Sequence, residues 1–114
     1  MTDSQTKQLL IFIGQRDTWH ERPLYEAIVD TLAKHEVSGV SVLAGTMGYG
    51  SHRRVHRKGL FGVSDDKPVA IIAIDEEVRI RAAIETIRPM IREGLIALSD
   101  VEVVLQAGGA ERDE

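Results

Sequence analysis

Two uninterrupted apolar runs, LLIFI at residues 9–13 and VAIIAI at residues 69–74, constrain this chain more than any other feature. Each is far shorter than the roughly 20 apolar residues a membrane helix needs. Both are rich in branched side chains, one stopped by Gly14 and the other introduced by Pro68. They read as central strands buried on both faces or nearly so. Pro68 has no N–H to give to a sheet ladder, so it fits only the first position of its strand.

The intervening sequence supplies helices. Pro23 suits a first helical turn, and Leu24, Ala27, Ile28, Thr31 and Leu32 follow at the spacing of one buried face, ending near His35. Gly39 marks a turn into a second strand, Val40–Ala44, bounded by Gly45. After VAIIAI, Asp75 is placed to cap a second helix, with Glu76 and Glu77 in its first turn and Ile80, Ile84, Ile87 and Ile91 as its core stripe. Gly94 stops it, and Pro89 should kink it or distort its last turns, since a ring there removes a hydrogen bond at a cost of roughly 3 kcal/mol. Val101–Leu105 is expected as the last strand and AGGAERDE as a mobile tail.

The order strand, helix, strand, strand, helix, strand predicts an α+β fold, the ferredoxin-like βαββαβ sandwich. It has a four-stranded antiparallel sheet, two helices on one face, and a long loop between the second and third strands. A right-handed crossover puts the third strand between the first and second. The loop Gly45–Lys67 then shares one end of the domain with QRDTWHER and EGLIALSD, bringing Arg16, Trp19, His20 and Arg22 near it. With no further element to cover the second face of the sheet, another copy of the chain is the expected cover.

At 114 residues the chain is one domain, 1–114, with an ordered core of about 8–105 and flexible tails. Zero cysteines exclude disulfides, thiolate metal sites and cysteine nucleophiles. The polar start MTDSQTK offers no secretory signal, so a cytoplasmic location is expected. The net charge is −4, yet SHRRVHRK at 51–58 carries four positive charges; removing those from the net leaves −8 on the rest. Anions are steered to that stretch. Nucleic acid is not an expected partner, because the acidic balance and 4% aromatic content lack its basic and stacking footprint.

Gly45, Gly48 and Gly50 match neither the dinucleotide fingerprint nor the phosphate loop. Their use is physical: glycines let backbone N–H groups and a ligand come close, or simply let an edge strand turn. The forks of Arg53, Arg54 and Arg57 and the point charge of Lys58 suit phosphates. The competing account is a solvated loop, but some 20 residues between adjacent strands exceeds the usual hairpin connection. His52 and His56 are four apart, but four cationic neighbours disfavour a metal there. Ser51 beside His52 makes no triad, so no catalytic residue is assigned. Trp19 is open to either a ligand or the base of the first helix.

With IFIG ending the first strand, RPLYEAIV opening the first helix, VSGVSVLAGTMGYG across the second strand and its exit, the basic stretch to Lys58, and DDKPVAIIAID, the chain resembles the PII-like signalling proteins. More narrowly, it resembles a bacterial and archaeal branch of unassigned function, over residues 8–105. The resemblance implies a homotrimer with its sheets facing a common centre. It also implies adenine nucleotides in clefts between subunits, beneath a T-loop that meets a target such as a membrane transporter or metabolic enzyme. On that reading Arg53, Arg54, Arg57 and Lys58 neutralise phosphates, Gly45, Gly48 and Gly50 admit them, and Tyr49 covers the base or sugar. No cofactor is required, and an adenine nucleotide acts as effector of a protein that is not an enzyme. The chain departs from signalling members in lacking their modified-tyrosine context and their basic C-terminal loop. Two rivals stand beside this expectation: a small enzyme acting on a phosphorylated metabolite at the same cleft, and a structural trimer whose loop binds a target without any ligand.

Overall fold

The structure, a computed structural model, describes residues 5–48 and 66–108. Tyr49, Gly50, Arg53, Arg54, Arg57 and Lys58 lie outside the described residues.

The two apolar runs become the two inner strands of the sheet. β1 (Thr6–Gly14) lies antiparallel to both of its neighbours. The chain then makes a small hairpin, β2 (Thr18–Trp19) and β3 (Arg22–Pro23), and enters α1 (Leu24–Lys34). β4 (Val40–Ala44) follows, then β5 (Pro68–Glu76), α2 (Glu77–Ile87), a 3₁₀ turn (Arg88–Met90) and β6 (Leu95–Asp100). The sheet order is β4-β5-β1-β6, so the strand that starts at Pro68 does sit between the first and second main strands. This is the ferredoxin-like sandwich expected from the element order.

Alternation decides which side of each strand is buried. Leu9, Ile11 and Ile13 of β1 and Val69, Ile71 and Ala73 of β5 face the helices and are buried. They meet Leu24, Ala27, Ile28 and Leu32 of α1 and Ile80, Ala83, Ile84 and Ile87 of α2 in one core. Each large side chain removed from water there contributes about 1.5–3 kcal/mol. Thr31 is buried with its hydroxyl donating to the Ala27 carbonyl (2.9 Å), which satisfies the one polar group on that face of α1.

Among the described residues, no element covers the other face of the sheet. Register places Ser41, Ile72, Leu10 and Ala97 in one row across the four strands, and Leu43, Ala70, Phe12 and Leu95 in the next. Phe12, Leu43 and Leu95 are exposed there.

Three local expectations are corrected. The last strand of the sheet is Leu95–Asp100, not Val101–Leu105, which forms no strand among the described residues. EGLIALSD reads as a connector by composition, but β1 offers its second edge along Lys7–Phe12 and recruits Leu95–Asp100 as strand. The second helix ends at Ile87 rather than Gly94: Pro89 cannot continue α-helical bonding, and it distorts the last turn, one of its two expected effects, into the 3₁₀ turn. Asp75 is the penultimate residue of β5, and Glu76 is the N-cap residue of α2, without a side-chain cap. The Asp75 carboxylate instead accepts from the Ser38 amide (2.8 Å), the Glu76 amide (2.6 Å) and the Arg79 guanidinium (3.0 Å), joining the turn before β4 to the start of α2.

Candidate functional site: a cleft at the loop end of the sheet

At the end of β1 the backbone turns at Gly14. The Gly14 N–H donates to Asp17 Oδ2 (3.0 Å) and the Asp17 N–H returns to the Gly14 carbonyl (3.2 Å). The Asp17 carbonyl accepts from the Leu24 amide (2.8 Å), one of the donors that α1 cannot satisfy internally. This turn is therefore fastened to the start of the helix, with the β2–β3 hairpin folded out between them.

That hairpin is joined by His20 and Glu21, both with positive φ, 52° and 67°. The mirror-image geometry matches the twist of paired strands but is normally given to Asn and Gly. The Trp19 and His20 rings meet edge-on with centroids 4.4 Å apart, and Trp19 packs partly buried on the core. Trp19 thus has a packing role, and Arg22 pairs with Asp30 of α1 (2.7 Å).

Across from this turn, the chain leaves the 3₁₀ turn through Ile91–Glu93 and passes over β1 at Gly94. A Cβ there would stand 2.5 Å from the Phe12 carbonyl oxygen, so no side chain fits that crossing. The two segments enclose an open cleft of about 670 Å³ lined by Arg16, Asp17, Thr18, Leu24, Met90, Arg92, Glu93 and Gly94. That volume lies within the range of small-molecule sites. Leu24 and Met90 are its apolar elements; Arg16 and Arg92 bring guanidinium groups, and Asp17 and Glu93 bring carboxylates.

The feet of the long loop are fixed beside the same turn. On the exit side, the Gly45 N–H donates to the Pro68 carbonyl (2.6 Å), and a Cβ on Gly45 would come 2.7 Å from the proline Cγ. The close approach of the two strands explains this glycine by itself. On the return side, Asp66 Oδ1 accepts from the Arg16 amide (2.8 Å) and the Lys67 carbonyl from the Gln15 amide (2.8 Å). Asp66 Oδ2 also occupies the space a Cβ on Gly14 would need.

The sequence reading put Arg16, Trp19, His20 and Arg22 at the loop end, and the structure brings Arg16 alone of these to the cleft. Gly45 and Gly48 stand against Pro68 and are not among its lining residues. Arg92 and Met90 were missed, although the segment beginning at Glu93 had been placed at this end. Their signal is the cation and flexible apolar residue in PMIREG, where Pro89 breaks the helix. Asp66 also secures Arg16 through its backbone amide.

The DUF190 family model, described as uncharacterized ACR, COG1993, matches residues 6–103. The chain belongs to this family. Among curated relatives, a UPF0166 protein of Aquifex aeolicus (strain VF5) is 31% identical over 98 residues, covering 86% of this chain and 92% of its own length. A UPF0166 protein of Methanocaldococcus jannaschii is 30% identical over 100 residues, with 87% and 92% covered. The fold of this chain is PII-like. A solved structure of CPII, a nitrogen regulatory PII-like protein from Thiomonas intermedia K12 bound to ADP, AMP and bicarbonate, is 25% identical and covers 86% of this chain and 87% of its own, with a TM-score of 0.65. Its apo form, 22% identical with 86% and 90% covered, gives 0.57. The expected PII-like resemblance thus holds for both sequence family and fold.

Proposed function

We propose that this chain is a cytoplasmic PII-like regulator that binds an adenine nucleotide at the loop end of its sheet and signals to a protein target through the connection between β4 and β5. The observation that carries the reading is the cleft: the guanidinium groups of Arg16 and Arg92, with the carboxylates of Asp17 and Glu93, line it one turn from the feet of a loop whose sequence supplies four more cations. Arg16 and Arg92 join Arg53, Arg54, Arg57 and Lys58 as phosphate partners. Support comes from CPII, which shares the fold at 25% identity and is bound to ADP, AMP and bicarbonate. The uncovered apolar face of the sheet supports a homotrimer, with each cleft completed at a subunit boundary. The nucleotide acts as an effector and is released unchanged. The target is a membrane transporter or a metabolic enzyme.

Calorimetry with ADP, AMP, ATP and bicarbonate tests this directly. At least one nucleotide is expected to bind, and changing Arg53 and Arg54 together to Ala is expected to weaken it tenfold or more, as loss of charged phosphate contacts does. Absence of binding by every nucleotide refutes the reading. Prolonged incubation should leave the bound nucleotide intact; turnover would favour an enzyme.

A further inference from the structure

Gly14 ends β1 with a backbone that any residue can adopt; the positive-φ glycines among the described residues are Gly94 and Gly108. Conformation therefore does not require a glycine at this position. Space does: a Cβ on Gly14 would stand 2.9 Å from the Asp66 Cγ and run into its Oδ2. The missing side chain leaves a notch at the end of the strand, and the half-buried Asp66 fills it with its carboxylate.

The carboxylate seated there extends the hold on the chain beyond the strand ladder. Pairing of β1 with β5 ends with Gly14 opposite Pro68, and the Gln15 N–H still reaches the Lys67 carbonyl (2.8 Å). One residue further a side chain takes over: the Arg16 N–H donates to Asp66 Oδ1 (2.8 Å). Arg16 is itself exposed, so packing does not set the direction of its side chain; the place where its backbone is held does. It lines the cleft together with Arg92. A guanidinium recognises an oxyanion as a planar fork, and that match is lost when the root of the side chain moves by about 1 Å.

We propose that Asp66 is a positioning residue of the cleft, its carboxylate seated in the Gly14 notch to hold Arg16 at the angle an incoming phosphate requires. This role depends on the proposed reading of the cleft as a phosphate site, and it supplies the group that sets the geometry there. The sign of the charge separates position from electrostatics. A carboxylate beside an anion site repels the ligand through space, so its removal would tighten binding if charge alone mattered. As the acceptor that holds Arg16, it weakens binding when removed.

Calorimetric affinity for ADP, AMP and ATP distinguishes the two, with circular dichroism confirming that each variant folds. Asp66→Ala is expected to weaken the tightest of these nucleotides about tenfold, the equivalent of one charge-assisted hydrogen bond. Asp66→Asn keeps an acceptor oxygen and drops the charge, and is expected to restore affinity to within about twofold. Gly14→Ala closes the notch from the other side with Asp66 unaltered, and is expected to weaken binding as Asp66→Ala does. In an Arg16→Ala background, Asp66→Ala should cost nothing further, because the group it positions has gone. Unchanged or tighter binding by Asp66→Ala or Gly14→Ala, an Asn variant no better than Ala, or a full further loss without the Arg16 guanidinium overturns the positioning role and leaves the nucleotide reading standing. No binding of any nucleotide by the unsubstituted chain refutes both.

Discussion

Asp75 shows how one carboxylate can serve a position that the sequence pattern assigns to a different task. Its burial opposes ionisation, but the Glu76 and Ser38 amides together with the Arg79 guanidinium outweigh that cost and hold its carboxyl below the ordinary value. A lowered folded pKa means that this contribution to stability is fully present above the unfolded-state pKa, near 4, and is lost as pH falls through the folded value. Asp75→Asn is therefore expected to cost about 2 kcal/mol at neutral pH, the scale of charged hydrogen bonds. It should also flatten the acid side of the stability profile in urea unfolding between pH 7 and pH 2; an unchanged profile would show that Asp75 carries no such linkage. Proximity in sequence pointed to helix capping because Asp75 precedes two glutamates. The partner that drew it elsewhere, Ser38, is 37 residues away and visible only in three dimensions.

Elements with strong periodicity were legible, and those depending on a neighbour were not. The five positions read as the buried face of α1 are the five buried in the structure, because a 3.6-residue repeat needs no knowledge of the partner. Assignment of β6 failed for the opposite reason: LIALSD has weaker strand character than VEVVL, and only the free edge of β1 selects it. The β2–β3 hairpin was equally hidden, since His20 and Glu21 give no turn signal. Left-handed geometry costs a residue with a Cβ about 1–2 kcal/mol. Glu21→Gly should relieve most of that strain and stabilise the chain by about 1 kcal/mol in denaturant titration; a loss of stability would mean that the side chain has contacts worth more than its strain. In the candidate site, the sequence reading placed Arg16 at the end of the domain where the cleft lies. The approach of Arg92 depends on the early end of α2, which moved the boundary of the second segment.

For the whole molecule, the apolar rows on the uncovered sheet face carry the assembly argument. Ile72 lies in the middle of that face, between Leu10 and Ser41. Ile72→Lys would set a charge where a neighbouring subunit is expected, and a buried unpaired charge is costly enough to dissociate most interfaces. Sedimentation should then show monomers at concentrations where the unsubstituted chain assembles, and an undisturbed assembly would place the subunit contacts elsewhere. No helix among the described residues is long and apolar enough to cross a membrane. Both feet of the long connection are fastened to hydrogen-bonded neighbouring strands, Ala44 to β5 and Pro68 to β1. The free energy of joining them therefore depends only weakly on what lies between, about 0.6 kcal/mol for each doubling of length. Such a chain can change the sequence of that connection, by insertion, deletion or wholesale replacement, while the domain that carries it stays the same.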